Sequence, residues 1–297
     1  MIVYTDLHNR TKNYSLSESI KSKISKDFNV KIVTDIHPEA EIYWGDKLTV
    51  HRLRAMPNLK WIHLSKTGTE IIDEVKTSKH IMVTNTPESS EGVAEYALTG
   101  VLYCIRGINE IHNLRLQSNL NRESFDCNID YILPFKDVKC LIVGNGRIGK
   151  KLNILLNRLR IQVGVVDKTN IKHLENLVPD YDIIVNALPL NDQTKYLFDH
   201  NIFGKMKKSS YIVNIGRGKT IVEDPYLLEA LRSKQIRGAF LDVVTDSPIK
   251  SDNELLKLDN VFVSPHIANA TNKSIEIQVK RFTENLQEYK ELKERNA

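Results

Sequence analysis

The sequence predicts an α/β protein built as two doubly wound domains, each a parallel sheet covered on both faces by helices. Three observations carry this. The 297 residues exceed what one compact core commonly organises. Short β-rich runs alternate with polar, helix-compatible runs through most of the chain, as parallel strands with helical crossovers require. An apolar strand at residues 138–143 passes through Gly144, Gly146 and Gly149 into an amphipathic helix, a strand–turn–helix unit typical of doubly wound sheets.

In the N-terminal part, residues 2–4, 30–33, 41–44, 60–64 and 81–84 read as strands, and residues 17–28 and 49–56 as helices. Asn85, Thr86 and Pro87 break the pattern. Ser89 or Ser90 can cap the next helix, with Glu91 in its first turn. That helix reads as one long, mostly apolar element over residues 91–117, suited to an interdomain spine and a subunit contact. A polar stretch follows, then the strand and the glycines. Beyond them Ile148, Leu152, Leu155, Leu156 and Leu159 share one face at helical spacing. Further strands read at 163–166, 182–188, 211–215, 238–244 and 261–264, with a helix at 225–233 capped by Asp224. Residues 273–295 form one amphipathic helix expected to return to the N-terminal domain. The domains are therefore 1–87 with 273–297, and 88–272.

The net charge of +5 comes from 42 basic and 37 acidic residues, spread in short runs such as 205–208 and 290–295. Such runs read as solvated faces, and no recognition motif accompanies them, so no nucleic-acid partner is expected. Cys104, Cys127 and Cys140 are odd in number and widely spaced, which gives neither a disulfide framework nor a metal site. Cys104 and Cys140 sit in apolar runs and read as small core residues. Reduced thiols fit a cytoplasmic protein. Residues 1–10 lack the apolar run of a signal peptide. No stretch approaches the roughly 18 apolar residues that span a bilayer, so no membrane partner is expected.

Gly144-Asn145-Gly146-Arg147-Ile148-Gly149 is a G-x-G-x-x-G string in the context its mechanism demands. Gly144 permits the tight turn, Gly146 lets a pyrophosphate approach the backbone, and Gly149 lets the helix pack close to the sheet. The helix N-terminus then offers N–H groups and a positive dipole to phosphates. Asp167 ends the next strand, 18 residues past Gly149 (167 − 149). A carboxylate there accepts hydrogen bonds from ribose hydroxyls and repels a 2′-phosphate, which points to NAD rather than NADP. Lys168 beside it is a countervailing cation.

At this point the chain resembles the D-isomer-specific 2-hydroxyacid dehydrogenases, most strongly over residues 138–270. The resemblance rests on several ordered motifs: Asn186-Ala187-Leu188-Pro189-Leu190 with Thr194; Asn214-Ile215-Gly216-Arg217-Gly218; Gly238-Ala239-Phe240-Leu241-Asp242-Val243; and Ser264-Pro265-His266-Ile267-Ala268. Upstream, residues 85–98 with Val93-Ala94-Glu95 resemble the family's hinge and following helix, and residues 64–69 its substrate loop. The resemblance implies a Rossmann NAD-binding domain and a flavodoxin-like substrate domain. It implies catalytic Arg217 and His266, a substrate loop at Thr67, Gly68 and Thr69, and a homodimer. Leu188, Pro189, Thr194, Ile215, Gly216, Asp242 and His266 would join Gly144, Gly146, Arg147, Ile148, Gly149 and Asp167 around the cofactor. The chemistry suits these residue types. A guanidinium grips a carboxylate and polarises the neighbouring carbonyl, and an imidazole donates the proton while nicotinamide supplies hydride.

One departure stands out. The family usually places a glutamate that pairs with the histidine just before a proline, and here that position is Ser247, before Pro248. Asp246 is adjacent and shorter. Asn269 stands where the family commonly has glycine. An NAD(H)-binding regulatory or scaffold protein of the same fold is therefore the alternative reading. A nucleotide- or S-adenosylmethionine-binding transferase would leave Arg217 and His266 unexplained. Lys66, beside the substrate loop, either meets a second anionic group or is simply exposed.

Overall fold

The computed structural model describes residues 1–7, 15–65, 68, 72, 81–126, 132–246 and 249–295. The chain divides into two compact units: residues 1–90 with 269–297, and residues 91–268. Thr67, Thr69, Lys66, Ser247, Pro248 and Cys127 lie outside the described residues.

In the first unit, five parallel strands are β1 (Ile2–Thr5), β2 (Lys31–Val33), β3 (Ile42–Gly45), β4 (Trp61–Leu64) and β5 (Met82–Asn85), in the order β2-β1-β3-β4-β5. Successive side chains point to opposite faces of a strand, so each run feeds two cores. Val3, Ile42, Trp44 and Trp61 face one side with Ile24 from the helix Glu18–Phe28. Tyr4, Tyr43, Ile62 and Leu64 face the other. The C-terminal helix Ser274–Arg295 closes the first face: Phe282 stacks on Trp44 with ring centroids 3.8 Å apart, and Tyr289 on Trp61 at 5.1 Å. Helix starts here follow the expected chemistry, with Ser17 Oγ accepting from Ile20 N and Thr49 Oγ1 from Arg52 N.

The second unit holds β6 (Lys139–Val143), β7 (Gln162–Val166), β8 (Ile183–Asn186), β9 (Tyr211–Asn214), β10 (Gly238–Leu241) and β11 (Val261–Val263), all parallel, in the order β11-β10-β9-β8-β6-β7. Leu141, Val143, Ile184, Ile212 and Leu241 feed one core. Cys140, Ile142, Val185, Val213 and Phe240 feed the other. The order reverses between β6 and β8, so the crevice outside their carboxyl ends is the topological switch point where such sheets bind ligands. Cys104 and Cys140 are buried free thiols, and burial pushes both up. Among the described residues no helix is long and apolar enough to cross a membrane.

Two local expectations are corrected. The helix expected over 91–117 is two, Ser90–Ile105 and Ile108–Leu116. They break at Gly107, whose φ of 61° is the left-handed geometry that ends a helix and that glycine adopts without a Cβ penalty. The Ser89 and Ser90 hydroxyls donate back to Thr86 O at 2.9 Å and Pro87 O at 2.7 Å, where the tight turn Pro87–Ser89 leads into the first of these helices. The helix expected from 225 begins as a wide turn, with regular α-helix only over Leu228–Arg232, and Asp224 stays extended ahead of it at φ −114°.

Candidate active site

The residues singled out in the second unit fall immediately after strand ends. Gly144 follows β6, Asp167 follows β7, Ala187 to Pro189 follow β8, Ile215 to Arg217 follow β9, Asp242 follows β10 and Ser264 to His266 follow β11. Parallel strands put all these ends on one edge. Backbone bonds carry the sheet one step further there: Gly144 N to Val166 O at 2.8 Å, Ala187 N to Val143 O at 2.8 Å, Ile215 N to Asn186 O at 3.1 Å and Asp242 N to Asn214 O at 2.9 Å.

The glycine loop has the three-part shape that a pyrophosphate needs. Gly144 has φ 119°, and a Cβ there would meet Ala187 O at 2.7 Å. A Cβ on Gly149 would overlap the carbonyl of Gly144, so the helix Arg147–Arg158 packs against the turn itself. A Cβ on Gly146 would meet nothing within 4 Å. The open space is thus at the glycine whose backbone must admit a phosphate, beside a helix N-terminus. Arg147 is exposed and Ile148 half-buried. These residues fit a dinucleotide.

Asp167 is fixed in place. Its Oδ1 accepts from Thr169 N at 2.9 Å and Thr169 Oγ1 at 2.6 Å. The Thr169 hydroxyl, then its backbone N–H, with a further bond from the Asn145 side chain, hold the carboxyl below the usual carboxylate range. In the loop after β8, Leu188 is buried and Pro189 exposed. Thr194 Oγ1 donates to Pro189 O at 2.6 Å and accepts from Asn191 N at 2.9 Å, so its hydroxyl closes that loop. Ile215 and Gly216 are buried, and a Cβ on Gly216 would meet Leu188 O at 2.7 Å. The loops after β8 and β9 therefore touch through backbone.

Arg217 is half-buried, and its Nη1 donates to Gly216 O at 2.7 Å. His266 is exposed and adopts φ 56°, uncommon for a residue with a Cβ. Its backbone N–H donates to Asp242 O at 2.9 Å. The buried Asp242 carboxylate accepts from Ser264 Oγ at 2.7 Å, Ile267 N at 2.8 Å and Ala268 N at 3.0 Å. Asp246 is exposed on the wall of a cavity of about 540 Å³ that Glu223 also lines. Burial raises the Glu223 carboxyl, and a hydrogen bond from Thr245 N opposes this. Gly68 is the described member of the loop after β4 and is half-buried.

The sequence motifs contain Asn186 and Asn214 but assign them no role, and no motif includes Thr169 or Thr220. The two asparagines had a visible signal: each is the polar last residue of an otherwise apolar strand. Among the described residues no cluster of histidine, cysteine, aspartate and glutamate could hold a metal ion.

Residues 98–268 match the family described as D-isomer specific 2-hydroxyacid dehydrogenase, NAD binding domain. Glyoxylate/hydroxypyruvate reductase B of Cronobacter sakazakii is 30% identical over 293 residues, covering 88% of each chain. Glycerate dehydrogenase of Methylorubrum extorquens is 28% identical, covering 80% of this chain and 78% of its own. The crystal structure of D-lactate dehydrogenase from Aquifex aeolicus, complexed with NAD and lactic acid, superposes with a TM-score of 0.79 over 98% of this chain and 96% of its own, at 24% identity. Nothing in these comparisons favours the regulatory or transferase readings. The chain belongs to the D-isomer-specific 2-hydroxyacid dehydrogenase family, and is an NAD-dependent oxidoreductase that moves hydride between the cofactor and a small 2-keto or 2-hydroxy acid.

Proposed function

We propose that this enzyme reduces a 2-keto acid of the size of glyoxylate or hydroxypyruvate, with Arg217 and His266 as its catalytic residues. The observation that carries the reading is their placement on one sheet edge, after β9 and β11, with Asp242 of β10 fastening the histidine loop. Arg217 grips the carboxylate and polarises the carbonyl. When bound, NADH would supply the hydride. His266 delivers the proton to the carbonyl oxygen, and in the reverse direction removes it. Gly144, Gly146, Arg147, Ile148 and Gly149 receive the pyrophosphate, and Asp167 the adenosine ribose. Leu188, Pro189, Ile215, Gly216 and Asp242 follow strands of the same edge and would hold the nicotinamide half of the cofactor, with Thr194 bracing the loop. Thr67, Gly68 and Thr69 are the residues assigned to the substrate loop.

Residues 91–268 serve as the cofactor domain, and residues 1–90 with 269–297 as the substrate domain. A homodimer fits the apolar side chains exposed on and just after the helix Ile108–Leu116, namely Ile108, Ile111, Leu116 and Leu120. A cytoplasmic site fits the buried free thiols of Cys104 and Cys140. The deciding experiment is a panel of 2-keto acids assayed by loss of NADH absorbance, with NADPH in parallel. Turnover of small keto acids is the expected result. NADH binding with no turnover of any of them would sink the catalytic roles and leave a binding protein.

A further inference from the structure

A buried polar network joins the ends of β8 and β9 to the backbone of Arg217. Asn186, Asn214 and Thr220 are each at most 1% exposed. Asn186 Nδ2 donates to Asn214 Oδ1 at 2.8 Å and to Thr220 Oγ1 at 2.6 Å, while Asn186 Oδ1 accepts from Leu188 N at 3.2 Å. Asn214 Oδ1 also accepts from Gly216 N at 3.2 Å, and its Nδ2 donates to Val243 O at 3.2 Å. Thr220 Oγ1 passes its own proton to Arg217 O at 2.6 Å. Both Asn186 amide protons and the Thr220 hydroxyl proton are thus committed. Buried polar groups must be satisfied, and an apolar residue in these places would pack with less desolvation. The network holds two points of one short turn, Gly216 N and Arg217 O, and so fixes the origin of the Arg217 side chain.

We propose that Thr220 and Asn186 are positioning residues for the substrate-gripping guanidinium, acting through the backbone carbonyl of Arg217. The inference rests on the reading of Arg217 given above. A fork that must meet a carboxylate with two parallel hydrogen bonds tolerates little displacement, and misplacement by about 1 Å can lower a rate about 100-fold.

The test uses the full-length protein, NADH, glyoxylate as substrate and oxamate as a non-reacting 2-keto acid mimic. Thr220→Val keeps the shape and removes the hydroxyl. It should lower kcat/KM by about 10- to 100-fold, mostly through KM, and weaken oxamate binding to the NADH-loaded protein in step. The Kd of NADH should change less than about twofold, which also reports that the cofactor domain is folded. Thr220→Ser should restore activity to within about threefold. Should Thr220→Val fail to fold, Thr220→Ala removes the same hydroxyl without a second methyl, and the same expectations hold. In the double variant with Arg217→Lys, the two losses should be far from additive, since both act on one contact. Equal damage by Val and Ser at 220, or additive losses, would overturn the inference. An impaired Arg217→Lys beside a fully active Thr220→Val would overturn it alone. A fully active Arg217→Lys would instead remove the parent reading.

Discussion

Asp242 holds His266 by both ends of its own chemistry: its carbonyl accepts the His266 N–H at 2.9 Å, and its carboxylate accepts the two following N–H groups, of Ile267 and Ala268. His266 keeps a left-handed φ of 56° inside this clamp. A residue with a Cβ is strained there by about 1–2 kcal/mol. Charge-assisted bonds to a buried carboxylate are strong enough to offset that.

Asp242→Asn should therefore damage the histidine loop, because a carboxamide cannot accept at both of its ends. We expect kcat/KM to fall by about 100-fold. Ser264→Ala, which removes one of the three donors, should lose about 3- to 10-fold. Steady-state rates measure both losses. Wild-type kcat/KM in Asp242→Asn would show that the carboxylate does not support the histidine loop.

Cofactor choice should rest on Asp167 and the Thr169 that fixes it. Asp167→Ala should narrow the preference for NADH over NADPH, chiefly by weakening NADH about 10-fold or more. Because hydrogen bonds hold its carboxyl low, the charged acceptor persists as pH falls through the ordinary carboxylate range. NADH affinity should therefore hold where an ordinary aspartate begins to protonate, and fall only below that range. Titration of both cofactors across pH decides this; wild-type protein that binds NADPH as tightly would contradict the assignment.

The guanidinium fork should not be replaceable by an ammonium. Arg217→Lys should lose about 2–4 kcal/mol of transition-state stabilisation, or about 30- to 1,000-fold in kcat/KM. NADH affinity should hardly change. Initial rates with glyoxylate and direct NADH titration give both numbers.

Gly146 and Gly149 should behave oppositely. Gly146→Ala adds a Cβ into open space, so thermal stability should stay near wild type while NADH binding weakens at least about 10-fold. Gly149→Ala drives a Cβ into the Gly144 carbonyl and should destabilise by about 1–3 kcal/mol. Calorimetry and NADH titration on both variants test the pair. Unchanged NADH binding in Gly146→Ala would mean the pyrophosphate lies elsewhere.

Acid should destabilise the first unit through His63. The ring is fully buried on β4 and bonded to Thr84 Oγ1 at 2.7 Å. Burial, then the nearby Arg281 charge, pushes its pKa down to about 3. The unfolded chain then binds a proton that the folded one refuses, so the stabilising term is complete above pH 6.5 and is lost as pH falls towards 3. Between pH 6.5 and 5 the loss should be about 2 kcal/mol. Urea unfolding at both pH values measures it, and His63→Gln should flatten the dependence.

The sequence by itself determined the alternation of strands and helices, the glycine turn, Asp167 and the arginine and histidine motifs. Each of these is local: period-two and 3.6 patterns, glycine and acid spacing act within one segment, so the residues report them directly. The break at Gly107 was less legible, because a lone glycine inside an apolar helical run reads equally well as tolerated or as a stop. Tertiary structure alone decided which polar residues serve the site. Asn186 and Thr220 are 34 positions apart and Asp242 and Ile267 are 25 apart. Their bonds exist because parallel strands carry distant segments to one edge, where buried groups must find partners across strands. A hydrogen bond of that kind depends on distance and direction in space, and nothing in the spacing along the chain encodes either.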